Sequence, residues 1–391
     1  MSTSPDNDSA YHDLARVFSA RRKDNSVLEI EILPPGLGPF LHDEHSIGIT
    51  KKHLVKAFVT ARQLFFRALN GPSNLHDDGS YDHKPKTPQS GSEIEKPRDT
   101  LLTPTEIILL FDCEHLTACN WRKRRLAALI QRHDSTDADH VRSETLTREL
   151  EAELSLMTTY LCSPLHRHTK SPTLWGHRLW VLTRLLRVRR RRLAQNTGEE
   201  EESNVELEST LEVLKNELHI VFRSGERHPR NYYAFTYIRQ LREHLSGVGG
   251  DTRATTDLSR VSTFLARSIL DSVLDWCLAH PSDISGWSLT LYLLESVHEE
   301  DVCTNSIDRV VRFALDVGWE GESLWTVVDL ATKLVGAGEL VRNQRSRPSW
   351  DMLVAPALSD TGAETGWKSW LGRARSTWAP DATAGNETCE S

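Results

Sequence analysis

The segment Ser171-Pro-Thr-Leu-Trp175-Gly-His-Arg178 is the most informative about the fold, because its spacing recurs along the chain. It places a short polar residue first, a large aromatic four residues later and an arginine three residues beyond that. Short polar residues favour the N-cap of a helix, and residues three or four apart lie on one helix face. The stretch therefore predicts a capped amphipathic helix whose first turn is anchored in a core by Trp175.

Five copies of this pattern align when the aromatic position is taken as the reference. The reference positions are Cys119, Trp175, Phe235, Trp287 and Trp325. The residues four places earlier are His115, Ser171, Asn231, Asp283 and Gly321. Four of these five earlier residues belong to the set that caps helix N-termini. The arginine is present only in the first two copies, as Arg122 and Arg178.

Leucine-rich segments precede the copies and complete a repeating unit. Their apolar residues recur every three or four positions, as in Leu146, Leu150, Leu154, Met157 and Leu161. This is the period of an α-helix, and no run of alternating residues predicts a strand. Each copy is thus a helical hairpin that must stack on its neighbours to bury its apolar face. The sequence predicts an all-α fold, a right-handed superhelical array of about five helical hairpins (an alpha-alpha superhelix).

Composition divides the chain into four segments. Residues 1–70 carry one predicted amphipathic helix, and residues 71–100 have the polar composition of a disordered linker. Residues 101–340 hold the helical repeats, which open with a predicted capping box at Thr103-Pro104-Thr105-Glu106. Residues 341–391 form a polar tail that contains tryptophans and is expected to be ordered only in part.

Charge and cysteine usage exclude several classes of protein. The 391-residue chain carries a net charge of −8, which disfavours a nucleic-acid binder, because such proteins neutralise phosphates with a basic surface. Its six cysteines include no C-x-x-C pair, so no disulfide framework or zinc ribbon is indicated. The chain has neither the apolar run of a signal peptide nor the ~18 apolar residues of a membrane helix. We therefore expect a cytoplasmic protein that does not span a membrane.

Two clusters of reactive or charged residues have structural explanations. Cys162, His166 and His168 have the residue types of a metal site, but they straddle a predicted helix end without a nearby carboxylate. We therefore expect no metal there. Arg187 and the arginines at 189–192 end a helix just before an acidic run. This basic run is either a solvated helix end beside an acidic linker or a docking site for an acidic protein.

The repeat resembles that of protein prenyltransferase alpha subunits, whose pattern is Asn-Tyr-x-x-Trp-x-x-Arg. The stretches at 171–178 and 228–235 carry this pattern, and the stretch at 109–122 is similar to the first repeat of the alpha-subunit repeat-containing branch. The resemblance covers roughly residues 100–335. It departs from the family pattern at Cys119, where Trp is usual, and at Pro172, where the family has Tyr.

The resemblance implies a division of labour between two chains. In this family a catalytic beta subunit holds the zinc, the isoprenoid cavity and the peptide groove, and magnesium is expected there as well. This chain would then be the alpha-type subunit of a heterodimer that transfers a farnesyl or geranylgeranyl group from its diphosphate to a protein cysteine. It would bind no cofactor and would have no activity alone. The alternative is a non-enzymatic helical-repeat scaffold for protein–protein interaction.

The resemblance also implies particular site residues. In alpha subunits a lysine five residues before the second Trp approaches the isoprenoid diphosphate, and its counterpart here is Lys170. The corresponding position at the rim of the third repeat is Tyr233, where farnesyltransferases carry His. Each has a solvated loop residue as its alternative. The other motif residues are expected to be structural: Asn120, Arg122, Trp175, Arg178, Asn231, Phe235, Trp287 and Trp325.

Overall fold

The computed structural model describes residues 5–70, 100–134, 140–196, 199–247, 255–336 and 366–378. Within these ranges the chain forms thirteen helices and one three-stranded sheet, so the expected all-α class is confirmed with a small sheet added. The predicted linker lies outside the described residues apart from its last position, as does most of the predicted tail.

The chain divides into two compact units, and each is described by itself. The first comprises residues 1–203 and 223–228. Its elements are α1 (Pro5–Asp24), β1 (Glu29–Leu33), β2 (Phe40–Asp43), β3 (Ser46–Thr50), α2 (Lys51–Leu69), α3 (Leu102–Phe111), α4 (Leu116–Asp134), α5 (His140–Cys162) and α6 (Pro172–Asn196). Helix α7 (Glu199–Arg227) contributes residues to both units.

The second unit comprises residues 204–222 and 229–391. Its further elements are α8 (Tyr232–Leu245), α9 (Thr255–Ala279), α10 (Ile284–Ser296), α11 (Glu300–Val317), α12 (Glu322–Val335) and α13 (Trp367–Trp378). The five predicted hairpins are α3–α4, α5–α6, α7–α8, α9–α10 and α11–α12. The second helix of each hairpin carries one copy of the repeated pattern.

The predicted capping residues start these second helices. The side chains of His115, Ser171 and Asn231 each accept a hydrogen bond from the backbone amide three residues later, at 3.1–3.3 Å. Asp283 accepts from the amides of Ser285 and Gly286, and Gly321 occupies the N-cap of α12 without a side chain. These bonds satisfy amides that a helix end otherwise leaves without partners. The predicted capping residues therefore mark the starts of the second helices.

The tryptophans of the repeat have a polar role as well as an apolar one. The indole Nε1 of Trp175 donates to the carbonyl oxygen six residues earlier, at 2.9 Å. Trp287 and Trp325 do the same, at 2.9 and 2.7 Å. All three side chains are buried. The indole therefore fills the hairpin core and fastens the loop that leads into its own helix, which accounts for tryptophan at this position.

The sheet in residues 1–70 was not predicted, and the expectation of a single helix without strands was wrong. Its order is β1-β3-β2, with β1 parallel and β2 antiparallel to β3. On the free edge of β1, the amides of Leu28 and Ile30 donate to the hydroxyls of Thr159 and Ser163 on α5, at 3.0 and 2.9 Å. Each strand has only four or five residues, which is too short for an alternating pattern to stand out.

Helix α13 continues the repeat beyond the five predicted copies. Gly366 stands four residues before Trp370, and Arg373 stands three residues after it, as in the second copy. Trp370 is buried against α12, where its Nε1 donates to the Asp329 carboxylate at 3.3 Å. The described part of the tail is thus the second helix of a sixth copy, and it packs on the fifth.

Asp283 should be the cap whose loss destabilises the second unit, because its two oxygens have different tasks. Oδ1 caps α10, while Oδ2 accepts from the backbone amide of Arg230, at 2.6 Å, in the loop of the preceding copy. Asp283→Ala removes a cap and leaves the Arg230 amide without this partner, so we expect a loss of about 2–3 kcal/mol. Urea unfolding measures it, with exposed Ser282→Ala as control. Equal unfolding midpoints for the two variants would contradict the role.

Candidate functional site

Lys170 stands immediately before the cap of α6, as the spacing predicts. Its side chain is half-buried. Among the described residues its ammonium group has neither an ion-pair partner nor a hydrogen-bond acceptor. The position therefore offers a positive charge at the start of the second helix of the second copy.

The start of α6 already carries an anion. The carboxylate of Glu114, which precedes α4, accepts hydrogen bonds from the hydroxyls of Ser171 and Thr173. A negative charge at a helix N-terminus is stabilised by the helix dipole. A diphosphate at Lys170 would have to tolerate or displace this carboxylate, which sequence spacing could not reveal.

Tyr233 lies in the first turn of α8 and belongs to the second unit. It is 42% exposed, and its ring packs edge-to-face with that of Tyr232 at a centroid distance of 5.6 Å. The two phenols form an exposed aromatic pair next to the Asn231 cap. Pro172, which replaces the family tyrosine, is exposed at the first position of α6.

The motif residues expected to be structural are buried, with one exception. The buried ones are Arg122, Trp175, Arg178, Asn231, Phe235, Trp287 and Trp325. Asn120 is exposed on α4. Because each residue turns a helix by about 100°, the position next to the buried Cys119 points away from the core. Asn120 therefore does not contribute to the buried core of its hairpin.

The arginines of the pattern bind the first helix of their own hairpin. Nη1 of Arg122 donates to Oγ1 of Thr105 on α3 at 2.9 Å. Nη1 of Arg178 donates to the carbonyl oxygen of Leu154 and to Oγ1 of Thr158 on α5, at 2.9 and 2.8 Å. These two arginines thus connect the two helices of their hairpins through buried hydrogen bonds from a charged donor.

A buried ion network occupies the core of the first unit. Arg122 makes a bidentate pair with Glu153 of α5, through Nε at 2.8 Å and Nη2 at 2.6 Å. His177 of α6 places Nε2 at 2.7 Å from the same carboxylate. All three side chains are at most 4% exposed. The network therefore joins three repeat helices where a lone charge would be strongly destabilised.

The network controls the charge of its members. Burial by itself raises the carboxyl pKa of Glu153, but Arg122 and His177 lower it, and the net pKa is far below its usual value. Burial lowers the pKa of His177, whereas Cys119 and Glu153 raise it, and the net pKa is raised. The network therefore favours the ionised carboxylate of Glu153 and the protonated imidazole of His177.

Glu106 belongs to a buried cluster of charges, in which it also lies 3.9 Å from Nη2 of Arg122, and not to a capping box. Helix α3 begins at Leu102 with no side-chain cap, so the predicted box was wrong. The Glu106 carboxylate instead faces Arg21, at 3.5 Å, and Arg22, both on α1. These arginines lie 84 and 85 residues away in the sequence, and local spacing could not identify them.

The predicted loop cluster of cysteine and histidines does not converge. Burial lowers the pKa of His168 to about 4, and its Nε2 lies 3.0 Å from the carbonyl oxygen of Leu109. His166 is exposed and packs edge-to-face against His228. In the described ranges no group of three His, Cys, Asp or Glu residues could hold a metal ion. Nor does any helix there have the length and apolar character needed to cross a membrane.

Comparisons with known proteins identify the repeat. The model of the protein prenyltransferase alpha subunit repeat matches residues 214–245, which contain the cap Asn231 and the aromatic Phe235. Protein prenyltransferase alpha subunit repeat-containing protein 1-B of Xenopus laevis is 25% identical over 59% of this chain and 47% of its own length.

Two further relatives carry the corresponding name. The human protein is 24% identical over 54% of this chain and 43% of its own length, and the Danio rerio protein is 28% identical over 52% and 39%. The chain thus matches less than half the length of each of these curated relatives. The family resemblance read from the sequence is confirmed: this chain carries the protein prenyltransferase alpha-subunit repeat and is similar to the repeat-containing proteins of that family.

Proposed function

We propose that this chain is the alpha-type subunit of a protein prenyltransferase. It would pair with a beta subunit that supplies the zinc and magnesium chemistry and would transfer a farnesyl or geranylgeranyl group to a protein cysteine. The observation that carries the proposal is the family repeat at residues 214–245, within a series of hairpins that share its caps and aromatics. The five cysteines among the described residues are buried and form no disulfides, which supports a cytoplasmic setting.

Lys170 is the residue through which this chain would act on the lipid. Its ammonium group would neutralise charge on the diphosphate as the bond between isoprenoid and oxygen breaks. Groups in such positions contribute roughly 10²–10³-fold in rate. Tyr233 is proposed as a rim residue because it is exposed in the first turn of α8, two residues before the aromatic Phe235 of the third copy.

A specific observation favours the second candidate, a scaffold that has lost lipid transfer. Glu114 places a carboxylate at the start of α6, where the proposal needs room for a diphosphate. Pro172 removes the phenol that the family has next to this position. A scaffold would keep the hairpins and the partner surface without requiring either feature.

Lys170→Ala is expected to slow lipid transfer by roughly 10²-fold or more while the complex with the beta subunit still forms. The assay uses the chain co-expressed with candidate prenyltransferase beta subunits, labelled isoprenoid diphosphate and a cysteine-containing protein acceptor. The substitution lies outside the helix core, so the unfolding temperature should not change.

Arg189→Ala is the matched control, because Arg189 is an exposed cation of α6 whose pair with Glu151 contributes little to stability. It should leave both transfer and assembly unchanged. Wild-type transfer by Lys170→Ala in a well-formed complex would show that Lys170 is only a solvated loop residue. Assembly without any transfer by the wild-type chain would favour the scaffold.

A further inference from the structure

Two neighbouring second helices of the first unit carry cationic side chains outside their buried positions. Lys123 and Arg124 lie on α4, and Arg184 and Arg187 lie on α6, which packs beside it. We call these four residues the basic face. Arg124 and Arg187 are exposed, and the other two are half-buried.

The basic face differs from the surrounding arginines in having no acidic partner. Arg125 pairs with Glu149 at 2.8 Å, and Arg189 pairs with Glu151 at 2.9 Å. Across the described residues, none of the four side chains of the basic face has a carboxylate within ion-pair distance. Two helices in contact therefore carry four cations without an acidic partner among the described residues, in a chain whose net charge is −8.

An aromatic side chain lies within this surface. Trp180 of α6 is partly exposed, and the guanidinium carbon of Arg184 lies 5.4 Å from the centre of its ring. Partial burial, and then the charge of Arg187, lower the pKa of Arg184. An incoming anion would relieve this repulsion between like charges. Tryptophan and arginine are also the residues that most often dominate binding energy in protein interfaces.

The second unit has an arginine on the same type of helix whose side chain contacts a neighbouring helix. Arg239 of α8 lies over the ring of Tyr292 at 5.2 Å and donates to Oγ of Ser288 at 2.7 Å. The hydroxyl of Tyr292 in turn donates to the Glu243 carboxylate at 3.1 Å. Arg239 and Glu243 of α8 thus contact side chains of α10, whereas the described residues provide no carboxylate partner for the four cations of the basic face.

We propose that the basic face is a docking surface for an acidic region of a protein partner. A protein is favoured over a nucleic acid because a net charge of −8 repels a long polyanion, whereas an interface senses mainly the local charge. The docking does not depend on lipid transfer, since an alpha-type subunit and a scaffold would both use it.

The test measures binding of a fluorescein-labelled peptide of alternating Glu and Asp by fluorescence anisotropy. One variant replaces all four residues of the basic face with Gln. The matched control replaces four exposed cations of α2 with Gln, which removes the same charge from the same unit. These cations are Lys51, Lys52, Arg62 and Arg67. We expect the first variant to weaken binding by roughly tenfold or more and the control by less than about twofold.

Several results would overturn the proposal. They are no binding by the wild-type chain, equal weakening by both variants, and equal binding of a Gln/Asn peptide of the same length. Tighter binding of single-stranded RNA or of phosphatidylserine vesicles would point to another class of partner. Circular dichroism checks that the variants fold, and the exposed pair Arg124→Gln and Arg187→Gln repeats the test if the fourfold variant does not.

Discussion

Trp287→Ala should lower the free energy of unfolding by about 3–5 kcal/mol, as for other buried aromatics. The side chain is fully buried in the fourth hairpin, and its Nε1 fastens the loop at Pro281. Truncation leaves a cavity and removes the hydrogen bond that holds the start of α10. Urea unfolding followed by circular dichroism measures the loss.

Two comparisons separate the contributions of ring and indole. Trp287→Phe keeps most of the buried ring but leaves the Pro281 carbonyl without its donor, so a loss of about 1–2 kcal/mol is expected. Tyr232→Ala removes a 64% exposed aromatic and should change stability by less than about 0.5 kcal/mol. If Trp287→Ala lowered the free energy of unfolding as little as Tyr232→Ala, the aromatic residues of the repeat would not anchor the hairpins.

Glu153→Gln should also cost on the order of 3–5 kcal/mol, because it removes the carboxylate that Arg122 and His177 share and leaves only Glu106, 3.9 Å from Arg122, as a buried counter-ion. Replacing both the carboxylate and the arginine that pairs with it should have a smaller effect on stability than the single change predicts. A variant that combines Glu153→Gln with Arg122→Met should recover part of the loss, since an apolar side chain needs no partner in the core. A double variant as unstable as the sum of the two single ones would contradict direct coupling.

The pH dependence of this loss has a definite sign. The folded-state carboxyl pKa of Glu153 is depressed, so its stabilisation is present above the unfolded value of about 4.3 and disappears as the pH falls through the folded value. The folded-state pKa of His177 is raised, so its stabilisation is present below about 6.5 and disappears as the pH rises through the folded value. The wild-type and Glu153→Gln chains should therefore differ most between about pH 4.3 and 6.5.

Local spacing predicted the hairpins because it records what lies within one helix. A cap and an aromatic four residues apart are read directly from the sequence, and the structure places both in their predicted positions. The loop acceptor of each indole is equally local and could have been found from the recurring six-residue interval. The sixth copy is visible in the sequence as Gly366, Trp370 and Arg373, but no leucine-rich segment with a helical period precedes it.

Contacts between distant segments could not be predicted. Arg122 and Glu153 are 31 residues apart, and Arg21 and Glu106 are 85 apart, so neither pair leaves a periodic trace. The same limit applies to the candidate site. Counting back from Trp175 identifies Lys170, but only the fold shows that Glu114, 57 residues before Ser171, occupies the start of α6. The roles of Lys170 and Tyr233 in lipid transfer stay predictions.

Lipid transfer by a purified pair of subunits shows whether this chain is part of a prenyltransferase. The chain is co-purified with a prenyltransferase beta subunit, and incorporation of labelled farnesyl or geranylgeranyl into a protein cysteine is compared with the beta subunit alone. An alpha-type subunit predicts a stable complex whose transfer depends on this chain. If no beta subunit co-purifies, or if complexes form and this chain never adds to transfer, the chain is not a prenyltransferase subunit.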